Sequence, residues 1–316
     1  MTKKNIRTNG NKCPYRLVNT VNLCRIYIIL LLVLTSLNGI KAQSSSIIIK
    51  DIKFESNGVT LAGTIYTPQV SHAAVVLVHG SGQAPRMGEF ASLLADKGIS
   101  VLTYDKRGVG ESGGIYAGPE VGSNNVDSAN LILLADDANA AVDILHQQNK
   151  NIPIGLAGIS QAGWIIPIAA DKNPQVNFIV LFSGPLVSTI EQLRFQFFTD
   201  GKVDFWDNHT EAEARQSIRE KGRFDEYYAE HRDLFTNTDP YDALNNLPIA
   251  GLWFFGEKDI QVPVRVSIER LNTLKALGKP YEYCLFPALG HDVISTESID
   301  IAAHWIKDRK NYMRNR

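Results

Sequence analysis

Gly158-Ile159-Ser160-Gln161-Ala162-Gly163 follows directly on the short apolar run Ile152–Ala157 and leads into a helical stretch, Gln161–Asp171. A serine at a sharp strand-to-helix turn lifts its hydroxyl above a sheet, where it can attack an acyl carbonyl. Such a turn crowds the residues two before and two after the serine, so both must be small. Gly158 and Ala162 meet that demand. The helix start beside Ser160 also supplies oriented N–H groups and the positive end of a helix dipole.

A serine hydroxyl is inert without a base and an acid to orient that base. Seven histidines are available. His72 falls in a loop, His79 at a strand end, His146 and His304 in helices, and His209 and His231 in a charged insertion. His291 follows the strand Tyr281–Phe286, in the loop Pro287-Ala288-Leu289-Gly290-His291-Asp292 before the last helix. Asp259 likewise follows the strand Ile249–Phe255, so serine, aspartate and histidine stand on three post-strand loops, where open α/β sheets gather their chemistry. Glu257 is the alternative acid, closer to its strand and better suited to a structural contact. Asp292 adjoins His291 and would point away from its ring.

A tetrahedral oxyanion needs two converging donors. After the apolar strand Ala73–Val78 comes His79-Gly80-Ser81-Gly82, whose glycines allow close backbone approach. The natural donor pair is the backbone N–H of Ser81 and that of Gln161, with His79 bracing the loop. A phosphate-binding loop is the rival reading, but the Gly-Lys-Ser/Thr ending is missing.

The elements that must carry these loops are legible as alternation. Short, continuous apolar strands suit a sheet covered on both faces, and intervening helices of ten or more residues argue for parallel crossovers. The opening strands Ile47–Phe54 and Val59–Tyr66, joined at Ser56-Asn57-Gly58, read as an antiparallel start. The expectation is one α/β domain, a mostly parallel twisted sheet of about eight strands flanked by helices. Ser188–Asn246 breaks the pattern: it is charged, rich in aromatics and helical in period, as in Glu211–Glu220. It is expected to form a helical cap over one sheet edge, at about residues 188–246.

The 316 residues are 44% hydrophobic and 21% charged, which excludes a mostly disordered chain or a multi-pass membrane protein. Residues 1–42 hold seven basic and no acidic side chains, leaving 25 basic against 33 acidic beyond them, net −8. That sign gives no general attraction to nucleic acid. Basic residues, the apolar run Ile26–Leu37 and Ala42-Gln43 form a secretory signal pattern. The run falls short of the roughly 20 residues of a membrane span. Export with cleavage after Ala42 is expected, with no stable span afterwards; an uncleaved membrane anchor is the alternative. Cys13 and Cys24 fall in that segment, while Cys284 lies in Tyr-Glu-Tyr-Cys-Leu-Phe and reads as strand packing.

Ser160, Asp259 and His291 in that order, with His79-Gly80-Ser81-Gly82 and Asp105-x-Arg107-Gly108-x-Gly110-x-Ser112, resemble the α/β-hydrolase superfamily over about residues 47–312. The likeness is to exported bacterial esterases akin to the dienelactone-hydrolase, acyl-CoA-thioesterase and serine-aminopeptidase branches, although Ala162 replaces the commonest elbow glycine. It implies a hydrolase domain at 43–316 that acylates Ser160, with His291 moving the proton and Asp259 holding the imidazole. Asp105 and Arg107 are expected to pair and brace their loop. No cofactor is implied, and no cluster with metal-ligand spacing appears. A modest carboxylic ester is the first substrate class, ahead of a peptide and an acyl thioester. About 40 residues before Ile47 are too few for a prolyl-oligopeptidase propeller, and export separates the enzyme from CoA. A catalytically dead binding module is the non-enzyme alternative.

Overall fold

The computed structural model describes residues 46–117, 127–222, 224–226 and 236–313; the segment read as a signal, residues 1–42, lies outside them, as do Tyr227, Tyr228 and His231 of the insertion. In chain order the strands are β1 (Ile48–Ser56), β2 (Val59–Thr67), β3 (Ala73–Val78), β4 (Ile99–Tyr104), β5 (Ile154–Ile159), β6 (Val176–Phe182), β7 (Ala250–Gly256) and β8 (Tyr281–Phe286). They form one sheet in the order β1-β2-β4-β3-β5-β6-β7-β8. β2 pairs antiparallel with both β1 and β4, and every other pairing is parallel.

Residues alternate between the two faces of each strand, so one strand feeds two cores. On β3, Ala74, Val76 and Val78 join the core beneath α2 (Ser128–Gln148), α3 (Ala162–Lys172) and α8 (Val264–Ala276). Ala73, Val75 and Leu77 join the opposite core, under α1 (Gly88–Asp96) and α9 (Thr296–Met313). All six are buried, which is why β3 reads as an unbroken apolar run. Cys284 is one more buried strand residue of this second core.

β5 begins at Ile154, two residues later than its apolar run suggests. Pro153 has no N–H to give a ladder and contributes only its carbonyl, which accepts from the Ala74 N–H at 2.9 Å. The strand then runs to Ile159, so Ser160 is the first residue beyond it. Between β6 and β7 the chain carries α4 (Thr189–Thr199), α5 (Phe205–Asn208), α6 (Glu211–Arg219) and α7 (Tyr241–Asn246). Capping boxes at Ser188 with Glu191 and at Thr210 with Glu213 start α4 and α6. Phe195, Phe205, Ala214 and Ile218 give this insertion its own small core. Among the described residues, no helix is long and apolar enough to cross a membrane.

Candidate active site

Parallel pairing brings the carboxyl ends of the central strands level. Val78 lies opposite Gly158, Ile159 opposite Phe182, Phe182 opposite Phe254, and Gly256 opposite Phe286. The loops that follow therefore share one edge, and they carry Ser81, Ser160, Asp259 and His291.

Ser160 sits at φ +53°, a left-handed conformation that costs an L-residue on the order of 1 kcal/mol. The surroundings hold it there: its N–H donates to the Phe182 carbonyl at 2.9 Å, and its carbonyl accepts from Gly163 at 2.8 Å. Gly158 is obligatory beneath it. A Cβ at that position would come within 2.4 Å of Ala162 Cβ and 2.7 Å of the Val78 carbonyl. The same crowding explains why position 162 holds nothing larger than alanine.

The structure joins Asp259 and His291. Asp259 Oδ2 lies 2.8 Å from His291 Nδ1, while Oδ1 accepts the backbone N–H groups of Gln261 at 2.7 Å and Val262 at 2.9 Å. The aspartate is 1% exposed, so its two oxygens are committed to these partners and not to water. With Oδ2 as acceptor, His291 carries its proton on Nδ1 and leaves Nε2 free to accept. The two loops cross at Gly256, where a Cβ would stand 2.0 Å from the Gly290 carbonyl and 2.5 Å from that of Leu289. Ser160 Oγ makes no hydrogen bond to His291 among the described residues. The two are tied through β6: next to Phe182, the acceptor for Ser160, Ser183 donates its hydroxyl to the His291 carbonyl at 2.6 Å. Serine–histidine contacts of this kind often tighten only when substrate binds.

The other candidates find separate places. Glu257 is taken by Arg265, as its position near the strand suggested, and Asp292 is exposed with Oδ1 accepting from Ile294 N–H at 3.2 Å. His79 is buried, with Nε2 at 2.5 Å from the Tyr104 carbonyl and the Tyr104 ring at 4.9 Å. Burial, then the nearby Lys106 charge, push its pKa down to about 3, so it is a neutral brace. Its neighbour Gly80 lies against the elbow, close enough that a Cβ would meet the Ile159 carbonyl at 3.3 Å and Ser160 Cβ at 3.5 Å. Ser81 thus stands in the loop beside Ser160, and Gln161 is buried directly after it.

The expected Asp105–Arg107 pair does not form. Asp105 instead takes Arg86, accepting its backbone N–H at 2.8 Å, Nε at 3.2 Å and Nη2 at 2.8 Å, and Glu111 joins the same guanidinium. Arg107 turns the other way and pairs with Asp137 of α2. Gly108 and Gly110, both at positive φ, turn the chain directly after Arg107, and a Cβ on Gly110 would strike the Asp105 carboxylate at 2.7 Å.

Three further contacts escaped the sequence. Gln192 and Thr199 of α4 and Trp206 of α5 donate to the carbonyls of Gln261, Ile260 and Asp259, at 2.6, 2.7 and 3.0 Å. The inserted helices therefore clamp the loop that holds the acid. Lys106, buried beside His79, reaches the Gly80 carbonyl at 2.5 Å. An open cleft of about 480 Å³ lies beside the elbow, lined by Arg86, Phe90, Leu93, Ile159, Asp292 and Ile294. A second cavity of about 450 Å³ lies within the insertion, and neither space is lined by Ser160, Asp259 or His291 themselves.

The chain has the α/β-hydrolase fold, by its strand order and by its likeness to solved structures. Residues 69–209 match the family model described as serine aminopeptidase, S33. No curated protein matches the chain. Among solved structures it is similar to an esterase of Pyrococcus furiosus (TM-score 0.58, 17% identity, 83% of this chain and 91% of that one). A dienelactone hydrolase of Anabaena variabilis is similar too (TM-score 0.52, 16% identity, 83% and 96%). So is a Pyrococcus horikoshii acylaminoacyl peptidase (TM-score 0.54, 17% identity), of whose length the match spans 41% and which covers 85% of this chain.

Proposed function

We propose that this protein is a serine hydrolase that cleaves a carboxylic ester of modest size through an acyl-enzyme on Ser160. The observation that carries the reading is the Asp259–His291 contact at 2.8 Å, held on loops that border a serine elbow. Ser160 Oγ attacks the ester carbonyl as His291 Nε2 takes its proton, and Asp259 stabilises the imidazolium that results. The negative oxygen is met by the N–H groups of Ser81 and Gln161. Collapse of that intermediate expels the alcohol, which receives the proton from His291. Water, deprotonated by the same nitrogen, then attacks the acyl carbon, releasing the acid and restoring Ser160.

The apolar part of the open cleft, Phe90, Leu93, Ile159 and Ile294, suits a small acyl or alcohol group. A peptidase is the second reading, and the match to the serine aminopeptidase model favours it. Both share one first test. A fluorophosphonate probe should label the purified protein, and Ser160→Ala should abolish the label. A folded wild type that stays unlabelled, or a variant still labelled, would overturn the assignment and favour a binding module. Initial rates on p-nitrophenyl esters of graded length, set beside aminoacyl amides, then separate the two substrate classes.

Export is part of the proposal, supported by the basic stretch before Ile26–Leu37 and by Ala42-Gln43. The exported protein should begin at Gln43 when its amino terminus is sequenced. Retention of Met1 in a membrane fraction would mean an anchor instead.

A further inference from the structure

Lys106 is a buried charged group that the mechanism leaves unused and that makes no ion pair with a carboxylate among the described residues. Its Nζ donates to three neutral oxygens: the Gly80 carbonyl at 2.5 Å, the Gly82 carbonyl at 3.2 Å and Gln161 Oε1 at 3.3 Å. The neighbouring carboxylate, Asp105, is already occupied by Arg86. A buried ammonium met only by neutral dipoles is costly to keep. Its three partners are informative, because Gly80 and Gly82 flank Ser81, and Gln161 follows Ser160. The two N–H groups assigned to the oxyanion come from separate segments, one after β3 and one after β5, and Lys106 touches both.

We infer that Lys106 is a positioning residue of the oxyanion hole: its ammonium fastens the Gly80–Gly82 loop to the Gln161 side of the elbow and so keeps the Ser81 and Gln161 donors convergent. The inference rests on the reading of Ser160 as the acylated nucleophile. Donor placement matters at this scale, since loss of one oxyanion donor costs roughly 10²–10³-fold in kcat. The ammonium also places a positive charge behind the loop, in a site where charge is weakly screened.

The clamp should depend on pH. Burial holds the Lys106 pKa down to about 8, so the charged, fully donating form predominates below that pH and is lost above it. The charged and titratable groups around it are otherwise engaged. Arg86 is paired with Asp105 and Glu111, and those contacts raise its pKa. Asp105 is pushed up by burial but held lower on balance by Arg86. Arg107 is paired with Asp137, and His79 is neutral.

The test is kcat and KM for p-nitrophenyl ester hydrolysis from pH 6 to 10, with background subtracted, for wild type, Lys106→Met and Lys106→Arg, alongside thermal melts. Wild-type kcat should fall through an alkaline limb near pH 8. In Lys106→Met, kcat at pH 7 should drop about 10–100-fold with KM changed less than about 3-fold, and the limb should vanish. Lys106→Arg should restore much of kcat and move the limb beyond the range. Fluorophosphonate should still label Ser160 to completion in Lys106→Met, more slowly. Unchanged kcat and an unchanged limb in a folded Lys106→Met would overturn the inference and leave the hydrolase reading standing. Should that variant fail to fold, a flat wild-type kcat between pH 7 and 9.5 would overturn it. An unlabelled, inactive wild type would instead sink the hydrolase reading itself.

Discussion

Asp259→Asn is expected to lower kcat/KM about 10⁴-fold, the scale of the same exchange in other serine triads, while the melting temperature moves by only a few degrees. The substitution is nearly isosteric. Its Oδ1 can still accept from Gln261 and Val262, which keeps the loop in place. The amide nitrogen then faces His291 Nδ1 and donates to it, so the imidazole proton shifts to Nε2. A histidine in that tautomer cannot take the proton of Ser160, and the base is lost although every atom is near its original position. Wild-type and variant rates on one p-nitrophenyl ester, with a thermal melt of each, decide the matter. A loss below about tenfold in a folded variant would show that another acid orients the base. Glu257 could not replace it cheaply, because that carboxylate is held by Arg265.

Which parts of the molecule were legible in the sequence follows from how local their causes are. β3 and β8 occupy the predicted residues because a strand buried on both faces must be a continuous apolar run. Ser160, Asp259 and His291 were visible because each stands on a loop directly after such a strand, so topology alone delivers them to one edge. The contacts that fix their geometry were not visible. Trp206 reaches the Asp259 carbonyl from 53 positions away, and Lys106 reaches Gln161 from 55. Neither residue type announces a partner of that kind. The Asp105–Arg107 expectation failed for the converse reason. Two opposite charges two residues apart look paired on paper, but each is claimed by a partner distant in sequence, Asp105 by Arg86 and Arg107 by Asp137. Arg86, in a proline-flanked loop, and Asp137, midway along an amphipathic helix, carried no sign of their roles.

That Arg107–Asp137 pair carries the largest expected effect on stability. Arg107 is 6% exposed and Asp137 0%, with Arg107 Nε 3.0 Å from Asp137 Oδ2 and Nη2 also on the Ser56 carbonyl at 3.2 Å. The guanidinium thus joins β1, the loop after β4 and α2. Arg107→Met would leave a carboxylate buried with no counter-charge, which costs about 3–5 kcal/mol. For a domain of this size that corresponds to a fall in melting temperature of roughly 6–20 °C. The pH dependence gives the cause away. Burial already raises the Asp137 pKa against the opposing pull of Arg107. Removing Arg107 raises it further, so the folded variant binds a proton that the unfolded chain releases. Its stability must then fall as pH rises above the ordinary carboxylate range, and the variant should melt higher at pH 5 than at pH 8 by a wider margin than wild type. Arg107→Met with Asp137→Leu should recover at least half of the loss, because no buried charge remains. A single variant melting within about 2 °C of wild type, or showing no added dependence on pH, would mean that the pair is dispensable. Loop bracing by charge would then rest on Arg86 and Asp105 alone.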